Sequence, residues 1–457
     1  MNTLNKSTSD GGNKAFYKSM LTIAVPVMIQ SFMSSFLNMV DTVMVGKLGE
    51  TAIASVGIAN QYFFFYMMLL IGLCGGASVF ISQYWGKRDL KNIKRILGVS
   101  ISSVFVLASI FTVIGVLMPA RVISLFNQDP QVLDLGSKYL TIVIFGYFFT
   151  GLTFLYSFSL RSVGEATKPL IVNIIALICN VSLNYILIFG KLGAPALGVE
   201  GAAVATLVSR TVEAVILVMV IYTGGGPLSA TIRELTDWSM AYLKRTYKTI
   251  TPVILNDMFW GLASLVYIGV YGRMGTQAVA AVQIGNTVNN LFMVLAFGLS
   301  SAAAVMIGNS IGEGNNDQAL NYSKKFIFTA IATSILMGSI LAILSPQILK
   351  LFNVSDSVKY SAQSILYMIS GIFVIRVVGI MLVVGILRGG GDAGMALLIE
   401  GFTMWFIGVP MVVFGAFVLE LPVHLVYAMA FAEEIVKCIL GLLRLRSKKW
   451  IKNLTVH

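Results

Sequence analysis

Twelve long apolar stretches constrain the fold of this chain more than any other feature of its sequence. A transmembrane helix needs about 20 predominantly apolar residues, because hydrocarbon offers no water to satisfy backbone polar groups. The stretches run approximately over residues 18–45, 56–84, 96–118, 138–161, 168–189, 201–222, 248–271, 282–308, 326–349, 360–387, 395–418 and 423–443. The sequence therefore predicts an all-α polytopic membrane protein with twelve transmembrane helices.

The scarcity of charged residues excludes most classes of soluble protein. Only 11% of the residues are charged, whereas soluble chains carry about 25%. A soluble enzyme, a nucleic-acid-binding domain and a secreted disulfide scaffold are therefore poor fits. Two histidines and three cysteines without metal-ligand spacing give no basis for a metal or haem site. No Gly-Lys-Ser/Thr follows a glycine-rich run, so we expect no ATP-binding loop, and energy must come from an ion gradient or from a separate partner. We also expect no cofactor and no enzymatic activity.

The distribution of positive charge indicates the orientation in the membrane. With the N-terminus taken as inside, 22 Lys and Arg residues fall on inside segments, 7 on outside loops and 3 within the apolar stretches. Cytoplasmic segments carry the excess of Lys and Arg in membrane proteins. We therefore expect a multi-pass protein of the inner (cytoplasmic) membrane with both termini in the cytoplasm.

The two halves of the chain repeat each other. Pro26 and Pro252 open matching segments 226 residues apart, and the same offset relates several glycines: Gly46 and Gly272, Gly49 and Gly275, Gly72 and Gly298, and Gly86 and Gly312. Both halves begin on the same side of the membrane, so this is a parallel repeat with its axis along the membrane normal.

The repeat predicts the domain organisation. We expect an N-terminal six-helix bundle over residues 1–222, a cytoplasmic connector over 223–247 and a C-terminal six-helix bundle over 248–457. The connector is either a short helix at the membrane surface or a solvated tether. Two pseudo-symmetric bundles with a site between them are the architecture of alternating-access transport.

Two acids within the spans are the strongest candidates for ion binding. An ionisable group inside a membrane has an unfavourable free energy, so its presence indicates a functional role. Asp41 lies in the first span, and Asp257 lies one to two turns after Pro252 in the seventh. Either could carry a proton or ligate Na⁺, although Asp41 could instead cap or anchor a loop. Asp257 has no partner on its own helix, so we expect its removal to spare folding.

The remaining charges within the spans form predicted pairs. Arg210 with Glu213, and Glu434 with Lys437, are three residues apart and can pair on one helix face. Self-neutralising pairs favour a structural role, with a substrate or coupling role open. Two further residues, Arg376 and Glu400, could pair between the tenth and eleventh spans, which leaves Glu433 without a partner.

Polar and soft side chains give weaker indications. Asn173, Asn180 and Asn184 recur on the fifth span, and the last two share a face. Interhelical hydrogen bonding and contact with a ligand are both open for them. The stretch Phe63–Met68, which includes Tyr66, would suit flat cationic ligands, although packing in lipid explains most such residues.

The chain resembles the multidrug and toxic compound extrusion (MATE) family along nearly its whole length, and the NorM-like bacterial branch of that family in particular. The residues that carry the resemblance are Pro26 with Asp41–Gly49, Gln83–Gly86, Leu160–Ala166, Asn180–Asn184 with Gly190–Gly198, and Leu387–Asp392. The resemblance implies two six-helix bundles forming a V with a central cleft. It also implies proton- or sodium-driven export of organic cations.

The resemblance carries over to particular residues. The first-span acid of the family falls on Asp41, and its tenth-span acid falls on Asp392. In the seventh span Asp257 is the nearest acid, but the usual Glu position lies about one turn later, at Trp260. The related DinF-like branch often has Asp where this chain has Asn184, whose amide cannot take up a proton in that way.

Together these observations predict an H⁺- or Na⁺-coupled multidrug antiporter that works by alternating access. We expect ion coupling at Asp41, Asp257, Asn180, Asn184 and Asp392, with Na⁺ at Asp41 or Asp257 as the only metal. We expect the substrate cleft to be lined by Gln30, Asn38, Tyr66, Asn256, Trp260, Gln283 and Asn286. The expected partners are small organic cations or drugs and membrane lipid, and not nucleic acid, and we expect a monomer. The alternative is a lipid-linked oligosaccharide flippase of related fold, which should have a cleft rich in Arg and Lys.

Overall fold

The computed structural model describes residues 9–352 and 354–456, and every regular element in that part of the chain is helical. The α-helices are α1 (Ser9–Gly46), α2 (Glu50–Gly86), α3 (Leu90–Leu117), α4 (Pro119–Ser124), α5 (Pro130–Val143), α6 (Gly146–Ser162), α7 (Thr167–Phe189), α8 (Gly198–Thr223), α9 (Ile232–Leu235), α10 (Met240–Arg273), α11 (Thr276–Gly312), α12 (Asn316–Leu349), α13 (Asp356–Ile380), α14 (Ala393–Thr403), α15 (Val409–Phe417), α16 (Val423–Met429) and α17 (Phe431–Arg446). Two π-helical turns, Met381–Leu387 and Met404–Gly408, follow α13 and α14. The predicted all-α class is confirmed.

By length and apolar composition alone, fewer than twelve of the described helices qualify as membrane-spanning, and the reason is local. In the described residues, 10 helices are long and apolar enough, or 11 if α5 and α6, which meet at 52°, form one bent span. The last predicted stretch, 423–443, is divided between α16 and α17. Because α17 has only 16 residues and carries Glu433 and Glu434 in its first turn, it lacks the length and the apolar composition of the others.

A proline accounts for one of the two π-helical turns, which are wider than a turn of α-helix. Pro410 stands in the first turn of α15, directly after the π-helical turn Met404–Gly408. A proline ring clashes with the carbonyl group four residues earlier in a regular helix, which here belongs to Phe406. The wider turn relieves this clash. Such turns occur frequently at functional sites.

The chain divides into two compact units, each described here by itself. The N-terminal unit consists of Ile29–Ile81 and Asp89–Lys248, and the C-terminal unit of the described residues within Met1–Met28, Ser82–Arg88 and Thr249–His457. The division falls inside α1 and near the end of α2. The domain boundaries at residues 222 and 247 stay a prediction from the repeat.

The connector is docked within the N-terminal unit. Thr231 caps the short helix α9 in a capping box with Glu234. Lys94 Nζ of α3 lies 2.7 Å from Glu234 Oε1, and Arg95 Nη2 lies 2.8 Å from Asp237 Oδ2. A Cβ atom at Gly98 would overlap the Leu235 carbonyl oxygen, so glycine permits the close approach. The structure therefore contains a short helix of four residues held against α3, and its position at the membrane surface stays a prediction.

In the C-terminal unit, the C-terminal segment (residues 447–456) packs against the ends of other helices. Trp450 is completely buried, and a Cβ atom at Gly390 would overlap its ring. Gln83 Nε2 donates to the Lys452 carbonyl oxygen at 3.1 Å, and the Leu454 amide donates to Gln83 Oε1 at 2.7 Å. One side chain at the end of α2 thus fixes two backbone positions of this segment.

Candidate functional site

The carboxylate of Asp41 in the N-terminal unit is held by uncharged groups. Asn184 Nδ2 of α7 donates to Asp41 Oδ1 at 2.7 Å and to Asn180 Oδ1 at 3.0 Å. Asn180 Nδ2 in turn donates to Ser209 Oγ of α8 at 3.2 Å. No Lys or Arg nitrogen among the described residues lies within 4.0 Å of Asp41. The negative charge of Asp41 therefore has one amide donor but no ion-pair partner in the described part of the chain.

Oxygen atoms for a bound cation are present around Asp41. Asn180 and Asn184 are buried, whereas Asp41 is half-buried. Asn184 Oδ1 is buried and accepts no hydrogen bond within the described part of the chain. A buried amide oxygen without a donor is costly. Carboxylate and amide oxygens both ligate hard cations, and a carboxylate can instead take up a proton. The structure thus brings together three of the predicted ion-coupling residues.

A second polar group of the N-terminal unit is an ion pair. Arg210 Nη1 lies 2.9 Å from Glu213 Oε2, which confirms the predicted pair on α8. Asn173 Nδ2 of α7 donates to Glu213 Oε1 at 3.1 Å. Both oxygens of the buried Glu213 carboxylate are satisfied, so this group joins α7 to α8.

In the C-terminal unit, Asp257 has a cationic partner. Arg388 Nη2 lies 2.5 Å from Asp257 Oδ1, and both side chains are largely buried. Asp257 Oδ2 is buried and accepts no hydrogen bond in the described residues. The prediction from the sequence looked for a partner only on the helix that carries Asp257, and Arg388 lies on another element. The expectation that removal of the Asp257 carboxylate spares folding is therefore no longer supported.

Glu400 in α14 lies among three polar side chains of other elements. Asn256 Nδ2 donates to Glu400 Oε2 at 2.7 Å, and Lys437 Nζ lies 3.7 Å from Glu400 Oε1. The Arg388 guanidinium is 4.0 Å from Glu400 Oε2. The predicted pair of Arg376 with Glu400 is therefore wrong.

Arg376 instead belongs with the acids of α17. Its Nε atom lies 3.7 Å from Glu434 Oε1, and its Nη1 atom donates to Asn289 Oδ1 at 3.3 Å. Lys437 Nζ lies 3.2 Å from Glu434 Oε2, which confirms the predicted pair within α17. Charges from α13, α14 and α17 thus form one network.

Asp392 lies apart from these groups, at the start of α14. Arg444 Nε lies 2.7 Å from its Oδ2 atom, and Lys452 Nζ lies 2.6 Å from its Oδ1 atom. Two cations on one buried carboxylate anchor α17 and the C-terminal segment to α14. Ion coupling at Asp392 stays a prediction from the resemblance.

Comparison with known proteins identifies the family. The family model described as MatE matches residues 26–186 and 252–414. These two ranges cover more than half of the chain and one part of each repeat.

The chain belongs to the MatE family.

Relatives of this MatE chain span nearly its whole length. It is 26% identical over 426 residues to "Probable multidrug resistance protein YoeA" of Bacillus subtilis, covering 90% of this chain and 89% of the relative. It is 26% identical over 443 residues to "Probable multidrug resistance protein NorM" of Thermotoga maritima, covering 95% and 93%. The resemblance to the NorM-like bacterial branch is thereby confirmed.

A solved structure confirms the fold of the MatE chain. The structure titled "Crystal structure of MATE in complex with MaL6" aligns with a TM-score of 0.86 at 22% identity, covering 94% of this chain and 97% of that one. The chain therefore has the MATE fold. The family match and the relatives show that it is a multi-pass membrane transporter, of a transporter family rather than an enzyme family.

The residues predicted to line a cleft lie in different environments in the MatE chain. Asn38, Trp260 and Gln283 are exposed, and Gln30 and Asn286 are half-buried. Gln30 accepts from Arg161 at 2.7 Å, and Asn286 accepts from the Tyr427 hydroxyl group at 3.0 Å. The side chains of the other two, Asn256 and Tyr66, are buried in polar and aromatic contacts. Their roles as substrate contacts stay predictions.

Sequence reasoning missed the importance of two arginines in the MatE chain. Arg161 and Arg388 are among the 22 Lys and Arg residues counted on inside segments, but each contacts a side chain 131 residues earlier, Gln30 and Asp257 respectively. Both arginines follow a leucine at matching places in the repeat. That match was the available signal, because an arginine kept in both halves indicates a role within each half.

Proposed function

We propose that this protein is a cation-coupled multidrug efflux antiporter, which exports organic, mostly cationic or amphipathic compounds by alternating access. The coupling ion is H⁺ or Na⁺, and Asp41 is its principal site. The names of the relatives, which are multidrug resistance proteins, support the class of substrate.

One observation carries this proposal. Asp41 is a carboxylate within a membrane-spanning helix whose hydrogen-bond donor is an amide and which has no ion pair among the described residues. Such a carboxylate retains affinity for a proton or Na⁺, whereas a paired one is already neutralised. An ion bound there would favour one state of an alternating transporter by its differential affinity, and competition with the drug would couple the two fluxes.

The flippase alternative receives no support from the basic residues within the helices. Arg210, Arg376, Arg388 and Lys437 each lie within 4.0 Å of an acid, and the guanidinium group of Arg161 is engaged by Gln30. Recognition of a pyrophosphate needs cations whose charge is available to the ligand. We therefore do not propose a flippase.

The experiment is export of a fluorescent organic cation from proteoliposomes with an imposed Na⁺ or H⁺ gradient, each applied separately. Wild-type protein should export the dye with at least one gradient, and Asp41→Asn should abolish coupled export at unchanged monodisperse yield. Asp134→Asn is the matched control, because Asp134 is an exposed acid of the same unit. Export by Asp41→Asn at the wild-type rate would refute the role of Asp41.

We also propose that the protein lies in the inner membrane with both termini and the connector in the cytoplasm; residues 1–8 lie outside the described part of the chain. Ile232 in α9 is 82% exposed, which makes it a suitable labelling position. In a variant without the three native cysteines, Ile232→Cys should resist an impermeant thiol reagent in intact cells and react after lysis. Labelling in intact cells would place the connector outside.

A further inference from the structure

The C-terminal unit contains seven buried or largely buried charged groups, here named the charge cluster. Its carboxylates are Asp257, Glu400, Glu433 and Glu434, and its cations are Arg376, Arg388 and Lys437. With every group ionised, the cluster holds four negative and three positive charges. One carboxylate is therefore in excess.

Ion pairing within the charge cluster singles out that carboxylate. Asp257 pairs with Arg388, and both Glu400 and Glu434 lie within 4.0 Å of Lys437. Glu433 is 4% exposed and has no cationic nitrogen within 4.0 Å among the described residues. Its Oε2 atom accepts a hydrogen bond from an uncharged group, the Tyr267 hydroxyl, at 2.7 Å.

The fold makes room for the Glu433 carboxylate at a π-helical turn. A Cβ atom at Gly408, the last residue of the turn Met404–Gly408, would overlap Glu433 Oε2 and the Tyr267 hydroxyl oxygen. Glycine and the widened backbone therefore accommodate the carboxyl group between α10, α15 and α17. In this position the Glu433 carboxyl group lies beside Gly408 and the Tyr267 hydroxyl group and, within the described residues, not beside a cation.

We propose that Glu433 is a proton-binding site, and that its carboxyl group is protonated at neutral pH. A buried carboxylate without a cationic partner takes up a proton rather than remain charged. The proton removes the excess negative charge of the cluster. The carboxylic acid can then accept from Tyr267 and donate through its own O–H group.

The groups that face Glu433 from neighbouring elements fit this assignment. They are Tyr267 and Tyr271 of α10, Arg376 of α13, Glu400 of α14, and Glu434 and Lys437 of its own helix. Lys437 is the closest source of positive charge along α17, but it is shared between Glu434 and Glu400. Arg376 is directed to Glu434 and Asn289. Both cations are thus already engaged.

The test compares Glu433→Gln with Glu434→Gln in purified full-length protein. Gln has nearly the shape of a protonated Glu, so Glu433→Gln should keep the wild-type melting temperature and yield at neutral pH. Glu434→Gln removes a charged partner of both Arg376 and Lys437 and should lower both quantities. Difference infrared spectra should show the carbonyl band of a carboxylic acid in the wild type and its loss in Glu433→Gln only.

The pH dependence gives a second readout with a defined sign. A carboxyl group that binds its proton more tightly in the folded state makes the protein less stable as the pH rises. The wild type should therefore lose melting temperature relative to Glu433→Gln as the pH is raised above neutral. If Glu433→Gln is as unstable as Glu434→Gln and the carboxylic-acid band persists, Glu433 is ionised and the proposal is wrong. These readouts do not require export, so the result is independent of the proposed function.

Discussion

Arg388 donates a 2.5 Å hydrogen bond to Asp257, a residue that precedes it by 131 positions. The first half of the chain contains the same contact, because Arg161 donates to Gln30 at 2.7 Å over the same separation. The two halves of the chain therefore place an arginine and its acceptor alike, but the acceptor is an uncharged amide in the first half and a carboxylate in the second. The charge of Asp257 distinguishes the second half from the first.

This relationship predicts that Asp257→Asn destabilises the protein. Removing one member of a buried ion pair leaves the other charge uncompensated and costs about 3–5 kcal/mol. The melting temperature in detergent should fall, and the double variant Asp257→Asn with Arg388→Gln should recover part of the loss because no buried charge is left over. An unchanged melting temperature for Asp257→Asn would instead restore the expectation from the sequence that this acid is dispensable for folding.

The Arg210–Glu213 pair is expected to act as a scaffold. Glu213→Gln leaves Arg210 without its anionic partner and should reduce monodisperse yield. Exchanging the two residues preserves the pairing and the net charge, so Arg210→Glu with Glu213→Arg should restore yield and export. Full yield without export in Glu213→Gln, unrelieved by the exchange, would show that the pair takes part in transport.

The contact between the connector and α3 should depend on pH. The hydrogen bond from Lys94 lowers the pKa of Glu234 from 4.5 to about 2, and the Arg95 guanidinium lowers the pKa of Asp237. A depressed pKa means that the contribution to stability is complete above pH 4.5 and is lost as the pH falls toward 2. Hydrogen-exchange protection of α9 should therefore persist to about pH 4.5 and decline below it.

Lys94→Gln should remove that protection at neutral pH. Lys91→Gln is the control, because Lys91 is mostly exposed and lies farther from its acid, at 3.7 Å from Asp237. Equal loss of protection in the two variants would mean that the overall positive charge of α3, rather than the contact of Lys94 with Glu234, holds α9 in place.

The C-terminal segment is expected to be part of the stable fold. Trp450 is completely buried, and replacing a buried Trp with Ala costs about 3–5 kcal/mol. Trp450→Ala should therefore lower the melting temperature strongly. Trp260→Ala should change it little, because Trp260 is 45% exposed. Similar melting temperatures for the two variants would show that the segment contributes little to stability.

The sequence predicted contacts within a helix more reliably than contacts between helices. Arg210 with Glu213 and Glu434 with Lys437 were predictable because residues three apart lie on one helix face. The pairing of Arg376 was not, because Glu400 and Glu434 lie on different helices and the choice depends on how those helices pack. Spacing in the sequence does not contain that information.

The apolar stretches predicted the class of fold because bilayer thickness fixes the length of a spanning helix. They did not predict the break between α16 and α17 or the π-helical turns, which depend on particular residues such as Pro410. Around Asp41, the spacing of Asn180 and Asn184 predicted a shared face. Only the hydrogen bond from Asn184 of α7 to Asp41 of α1 shows that this face holds the carboxylate.

The two hydrogen bonds of Gln83 have a consequence for biogenesis. Gln83 enters the membrane early in synthesis, but its acceptor, the Lys452 carbonyl group, leaves the ribosome 369 residues later. Until then the amide at the end of α2 has to be satisfied by water or lipid headgroups, and the turn at Gly390 lacks the indole that covers it. The C-terminal unit therefore cannot be completed before the segment around Trp450 has been synthesised, and a nascent chain stalled before Trp450 would expose an unfinished surface to quality-control proteases.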